Sequence, residues 1–120
     1  MAKILIVSVP VKDQSLAAKW YQKMLGFRLL RDIRTPNSHR WVQLTPSSES
    51  ATITLVSWFD SMPPGSLCGL VLGTAALDTD RARLRQRGVE ISEIIAAPWG
   101  RYATFNDLDG NGWVLQESTD

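Results

Sequence analysis

The 120-residue chain contains the same pattern twice, and this repeat restricts its fold more than any other feature. An apolar run, ILIVSVPV, leads through Asp13 into a helical stretch that ends at Gly26. A second run, GLVLGT, leads into a helical stretch that ends at Gly88. Each glycine stands where a helix needs a left-handed residue before the chain turns back into a strand. We therefore predict two copies of a strand-helix-strands unit.

Composition indicates one soluble domain, residues 1–120, with repeats at about 1–60 and 66–120 separated by Pro63-Pro64-Gly65. The net charge of +1 gives no electrostatic footprint for nucleic acid or an anionic membrane. The N-terminal residues lack the pattern of a signal peptide, and no apolar run approaches the ~20 residues of a membrane span. We expect a cytoplasmic protein that binds neither nucleic acid nor membranes.

Hydrophobic periodicity predicts the individual elements. The first helix is expected to begin at Asp13 or Ser15 and to bury Leu16, Ala17, Trp20, Tyr21, Met24 and Leu25. Cys68, the single cysteine, is expected to be a small buried hydrophobe in the fifth strand. The second helix is predicted at 77–87, and the strands at 3–11, 27–33, 40–44, 51–58, from about 67, 90–95, 101–106 and 113–116.

Two segments carry a family resemblance. VKDQSLAAKWYQKMLGF covers the first helix, and DLDGN, from Asp107 to Asn111, matches a D-P-D-G-N motif with Leu108 in place of proline. With the repeat, they resemble the vicinal oxygen chelate superfamily, which includes glyoxalase I, extradiol dioxygenases, fosfomycin-resistance transferases and bleomycin-resistance proteins. The resemblance spans essentially the whole chain. It implies an α+β fold in which two βαβββ modules form a cupped mixed β-sheet with helices on the outer face.

The resemblance also identifies where metal-dependent members place their ligands, typically two His and two Glu. Those positions are Ile6, Thr54, Gly69 (or Leu67 in a register shifted by two) and Val114. A divalent cation needs carboxylate or imidazole donors, which these residues lack. His39 is the single histidine, so two histidines cannot meet within one chain, and its place next to a turn predicts a surface residue. We expect no metal, no cofactor and no metal-dependent lyase, dioxygenase or transferase activity.

Strand alternation and the family alignment predict which side chains line the cup. With Thr54 inward, Thr52 and Trp58 share its face. The alignment implies inward positions on the third and seventh strands, and a loop tryptophan at the rim is suited to stacking on a planar ligand. The predicted ligand-binding residues are Trp41, Gln43, Thr52, Thr54, Trp58, Trp99, Tyr102 and Thr104. No catalytic residue is assigned, because Asp107 and Asp109 fit turn formation better than acid-base chemistry.

The first hypothesis is metal-independent binding of a hydrophobic or aromatic small molecule, of the antibiotic-sequestering type found in bleomycin-resistance proteins. The resemblance implies a homodimer with its crevices at the two-fold interface. A metal-free isomerase or cyclase is the alternative, and it would need a polar group with a perturbed pKa deep in the cup. A structural dimer with a collapsed cup is the third reading. Membership of the superfamily does not distinguish these three functions, because one fold can carry many functions.

Overall fold

The computed structural model describes residues 1–34, 36 and 39–118, and it contains the predicted repeat. The first copy consists of β1 (Ile6–Pro10), α1 (Gln14–Met24), β2 (Arg28–Arg34), β3 (Arg40–Thr45) and β4 (Thr52–Val56). The second consists of β5 (Leu70–Thr74), α2 (Leu77–Gln86), β6 (Ile95–Ala97), β7 (Gly100–Asn106) and β8 (Gly112–Glu117). The predicted α+β fold with two βαβββ modules is confirmed.

Each module forms its own four-stranded mixed sheet, and the two sheets have the same topology. Sheet A has the order β1-β4-β3-β2 and sheet B the order β5-β8-β7-β6. The strand before each helix pairs in parallel with the last strand of its module, and the remaining pairs are antiparallel. The strands described do not join into one continuous sheet, so β1 and β5 each leave one edge without a strand partner.

The helix ends form as the sequence predicts. The Asp13 side chain accepts a hydrogen bond from the Leu16 backbone N–H at 3.0 Å, which caps the start of α1. Gly26 has φ +71°, and the Phe27 N–H returns to the Tyr21 carbonyl at 3.1 Å. Gly88, with φ +96°, plays the same role after α2. The two glycines therefore turn the chain from each helix toward the next strand.

The core lies on the helix side of both sheets and is shared by the two modules. Tyr21 of α1 contacts the Trp113 ring of β8 at a centroid distance of 5.9 Å, so the first helix packs on the second sheet as well as its own. On each strand, alternate residues point to opposite faces. We call the face turned away from the helices the cup face. The buried core comprises Val9, Val11, Ala17, Ala18, Tyr21, Phe27, Val42, Leu44, Ile53, Leu55, Leu77, Leu84, Val89, Phe105, Trp113 and Leu115.

A buried carboxylate joins the modules. Asp107 Oδ2 accepts hydrogen bonds from the Tyr21 hydroxyl at 2.5 Å and from Asn111 Nδ2 at 2.8 Å, while its Oδ1 accepts from the backbone N–H groups of Asp109 and Asn111. The Trp113 indole donates to the Tyr21 hydroxyl at 3.0 Å. Burial, with the Asp107 charge adding to it, raises the pKa of Tyr21, so the phenol stays protonated and donates.

Asn111 extends this network to the first strand. Its Nδ2 also donates to the Pro10 carbonyl at 2.8 Å, and its Oδ1 accepts from the Leu67 N–H at 3.1 Å. The predicted turn role of Asp107 is confirmed.

Two predictions about individual residues need correction. Leu16 is 55% exposed, because the buried stripe of α1 is centred on Ala17 and Tyr21. Cys68 is exposed and precedes β5, since that strand begins only at Leu70.

The strand predicted at 90–95 is largely irregular. Its backbone pairing with β7 is an isolated bridge between Ile91 and Phe105. Side-chain hydrogen bonds supplement it: Arg81 Nε donates to the Ser92 carbonyl at 2.7 Å, and Ser92 Oγ accepts from the Thr104 N–H at 2.9 Å. Regular pairing of β6 begins only at Ile95.

Replacing Tyr21 by phenylalanine will destabilise the protein by about 2 kcal/mol, because it leaves the buried Trp113 N–H without an acceptor and removes one donor from Asp107. Urea unfolding monitored by circular dichroism measures the change. Tyr102→Phe is the matched control, since that hydroxyl makes no hydrogen bond to any described residue. Equal midpoints for the two variants would show that the buried network contributes little.

Candidate functional site

Four of the predicted site residues lie together on the cup face of sheet A. Gln43 is directly opposite Thr54 in the β3-β4 pair, so both side chains point the same way. Trp41 and Thr52 share that face by strand alternation, whereas Val42 and Leu44 between them are fully buried in the core. The face is therefore defined by the strands themselves and does not depend on a loop.

A directional chain of hydrogen bonds connects three of these side chains. Trp41 Nε1 donates to Gln43 Oε1 at 3.0 Å, and Gln43 Nε2 donates to Thr52 Oγ1 at 2.8 Å. The Thr52 hydroxyl donates to the Leu5 carbonyl at 3.2 Å. Because the chain ends on a backbone acceptor, every donor in it has a fixed direction. The Trp41 ring is held with its N–H already satisfied, which leaves its aromatic surface for an apolar or planar partner.

Thr54 forms the floor of this face. Its hydroxyl lies 3.5 Å from Ser8 Oγ, and the residue is 1% exposed. It supports the side chains above it rather than presenting a surface of its own.

Trp58 follows β4 and stacks on His39, with ring centroids 4.3 Å apart and an interplanar angle of 5°. Sequence reasoning treated His39 only as a surface residue. The signal that could have identified it is parity: position 39 stands two residues before Trp41, in line with the inward positions of β3. A stacked pair of flat rings thus borders the tryptophan and amide chain.

The remaining predicted residues lie on sheet B. Trp99 is 60% exposed and stacks on Tyr102 at 5.0 Å with an interplanar angle of 18°. Tyr102 is opposite Gln116, and Thr104 is opposite Val114, so these four side chains share the cup face of the second sheet. Gln116 was missed by the sequence reasoning, although its alternation with Val114 places it there.

The structure shows no contact between these two groups among the residues that it describes. Among residues 1–34, 36 and 39–118, no hydrogen bond or ring contact links the Trp41 and Trp58 group to the Trp99 and Tyr102 group. They belong to different sheets that share a core on their opposite faces. Each sheet therefore presents half of the predicted site.

A cleft lies between the sheets. It has a volume of about 420 Å³ and is lined mainly by core-face residues, including Val7 and Ile53 of sheet A and Leu70 and Leu72 of sheet B. Thr52 is the one predicted site residue that reaches it. Its walls include β1 and β5, each of which lies at one edge of its sheet.

The positions of the family's metal ligands do not fit a divalent cation. Ile6 and Val114 present hydrocarbon, Gly69 has no side chain, and the Thr54 hydroxyl is turned toward Ser8. Across the described part of the chain, no three His, Cys, Asp or Glu side chains are grouped so that they could hold a metal ion. No metal chemistry is assigned to this face.

Comparison with known proteins agrees with this architecture. The sequence-family model of the glyoxalase/bleomycin resistance protein/dioxygenase superfamily matches residues 3–115 of this chain. The chain belongs to that superfamily. The match covers both modules, so the resemblance given by the first-helix and DLDGN segments is confirmed.

Similar structures include TnmS3, an antibiotic binding protein from Streptomyces sp. CB03234. It is 42% identical, with a TM-score of 0.93 over 99% of this chain and 98% of that one. A glyoxalase/bleomycin resistance protein from the same strain is 44% identical, with a TM-score of 0.86 over 95% of this chain and 99% of that one. The uncharacterized Bacillus subtilis (strain 168) protein YetH is 27% identical over 92% of this chain and 94% of its own length.

No helix of the described residues has the length and apolar character needed to cross a membrane.

Adding Zn²⁺, Mn²⁺ or Ni²⁺ in excess will leave the melting temperature unchanged, because the four positions supply no carboxylate or imidazole. A metal that bound the native state alone would raise Tm by several degrees at saturating concentration. Differential scanning fluorimetry with each ion, and with EDTA as the reference, measures the effect. A specific rise reversed by EDTA, with bound metal found after desalting, would contradict the assignment.

Proposed function

We propose that the protein is a cytoplasmic, metal-free homodimer that binds a hydrophobic or aromatic small molecule and releases it chemically unchanged. The similarity to an antibiotic binding protein at 42% identity supports a binding role. The cup faces supply aromatic surface at Trp41, Trp58 and Trp99, together with a few oriented polar groups. That combination is usual for small-molecule sites.

The observation that carries the proposal is the hydrogen-bond chain from Trp41 through Gln43 to Thr52. It satisfies the indole N–H and fixes the ring before any ligand arrives, so little side-chain entropy is lost on binding. None of the three side chains is an ionisable acid or base. They favour holding a ligand over transforming it.

A second copy of the chain would complete the site. The free edges of β1 and β5 carry exposed apolar side chains, including Ile6 at 40% and Val71 at 58%. Exposed apolar edges are prone to pair with another chain. If β5 of a partner lies beside β1, sheet A continues into the partner's sheet B. The Trp41 group of one subunit then borders the Trp99 group of the other.

Intrinsic tryptophan fluorescence, titrated with a panel of planar aromatic antibiotics and natural products, will show saturable quenching for at least one ligand. Trp41→Ala and Trp58→Ala will each weaken that ligand's affinity by at least about tenfold, because central aromatic contacts dominate binding energy. Trp20→Phe is the control, since Trp20 belongs to α1 on the core side. Recovery of unchanged ligand separates binding from catalysis. Turnover of the ligand would support the metal-free isomerase or cyclase instead.

A mixing experiment tests whether the site is shared between subunits. Trp41→Ala and Trp99→Ala chains, each impaired alone, are refolded together and titrated. In a mixed dimer, one cup carries both substitutions and the other carries neither, so about a quarter of wild-type binding sites will return. The control is the double variant refolded alone. If no sites return on mixing, the two groups do not form one site across the dimer.

A further inference from the structure

The cup face of sheet A carries a cation that the predicted site did not include. Arg31 of β2 is directly opposite Gln43 of β3, and Ile33 is opposite Trp41. Paired residues of antiparallel strands project from the same face. The register shifts between Leu29 and Arg31, so parity read from the sequence alone does not continue through this strand. The irregularity brings the Arg31 side chain beside the hydrogen-bonded amide.

No carboxylate in the described part of the chain neutralises the charge of Arg31. Among the described residues it forms no ion pair, whereas Arg40 binds Asp32 at 2.8 Å on the helix side of the same sheet. Asp32 is the sole carboxylate in strands β1 to β4, and it is opposite the buried Val42. The strands of sheet A thus contribute cationic but no anionic groups to the cup face.

One further strand residue and two residues outside the strands also carry charge near this face. Arg28, opposite Thr45, adds a second cation to the same face. Glu49 lies in the connection after β3 and lines a hollow of about 260 Å³ with Lys3, Gln43 and Thr52. Glu49 and Lys3 are both exposed and carry opposite charges, so the local balance remains positive.

The hydrogen-bonding groups of this face also favour an anionic partner, because the groups left available are donors. Gln43 Nε2 uses one of its two hydrogens on Thr52, which leaves the other available. The Thr52 hydroxyl hydrogen is committed to the Leu5 carbonyl. Arg31 contributes a guanidinium with five N–H donors and no acceptor. A ligand lying on Trp41 is therefore offered donors close to one end of the ring.

We propose that Arg31 selects planar aromatic ligands that carry an ionised oxygen, a carboxylate or a phenolate, and orients that oxygen toward Gln43. This specificity rests on the binding function proposed above. The aromatic part lies against Trp41, and the anionic oxygen accepts from the Arg31 guanidinium and the free Gln43 hydrogen. Arginine suits this role because its planar fork matches a carboxylate in a bidentate geometry.

Three probes of one shape test the assignment by isothermal titration calorimetry: anthracene carboxylate, its neutral carboxamide, and an aminomethyl anthracene cation. The wild-type protein will bind the carboxylate most tightly and the cation least. Arg31→Gln will weaken carboxylate binding by about tenfold and leave carboxamide binding unchanged, since a charge-assisted hydrogen bond is lost. Arg31→Lys will recover part of the loss.

Arg34→Gln is the matched control. The substitution removes the same charge from the same strand, but Arg34 is opposite Arg40 and points to the helix side. It will leave all three affinities unchanged, and melting curves will show that both variants fold. Equal effects of Arg31→Gln on carboxylate and carboxamide, or equal effects of the two arginine variants, would overturn the role of Arg31 while leaving the binding function intact. Failure of the wild-type protein to bind any of the three probes would overturn the anion selectivity; failure across the antibiotic panel as well would reject the binding function.

Discussion

The buried carboxylate of Asp107 is the interaction on which the relation of the two modules depends. It sits in the turn between β7 and β8, yet its partners include Tyr21 of the first helix and Asn111, which in turn binds the Pro10 carbonyl. A buried charge is stable only when several donors surround it, so these groups must be brought together for the chain to fold. One turn thereby fixes how the second sheet meets the first helix.

That arrangement determines where a ligand can be held. Because the helix-side faces of both sheets pack into the shared core around the Asp107 network, the cup faces point away from that core. The strands that precede the helices in the chain, β1 and β5, lie at sheet edges and carry exposed apolar side chains. A chain built this way presents two incomplete surfaces. The proposed homodimer would cover both edges and bring the two surfaces together.

The repeat, the helix ends and the face of most strand residues could be read from the sequence, because glycine conformation and strand parity are local properties. Trp113 illustrates this: parity with Val114 turns it from the cup, and it is 4% exposed in the core. Features that depend on contacts between distant residues could not be predicted from the sequence. Cys68 is exposed because β5 starts two residues later, and Ser92 supplements an isolated bridge through contacts with Arg81 and Thr104. The residues of the candidate site are placed on the two cup faces, and their contact with a ligand stays a prediction.

The two modules show why the two cup faces can differ in chemistry while the cores stay alike. Core positions must remain apolar in both copies, since each helix buries them, and the strands meet this demand with alternating Val, Leu, Ile and aromatic residues. The opposite face has no such requirement. On sheet A it carries an amide chain and the cation of Arg31, while on sheet B it carries the stacked Trp99 and Tyr102. A duplicated unit can therefore keep its fold and still offer two chemically different walls to one ligand.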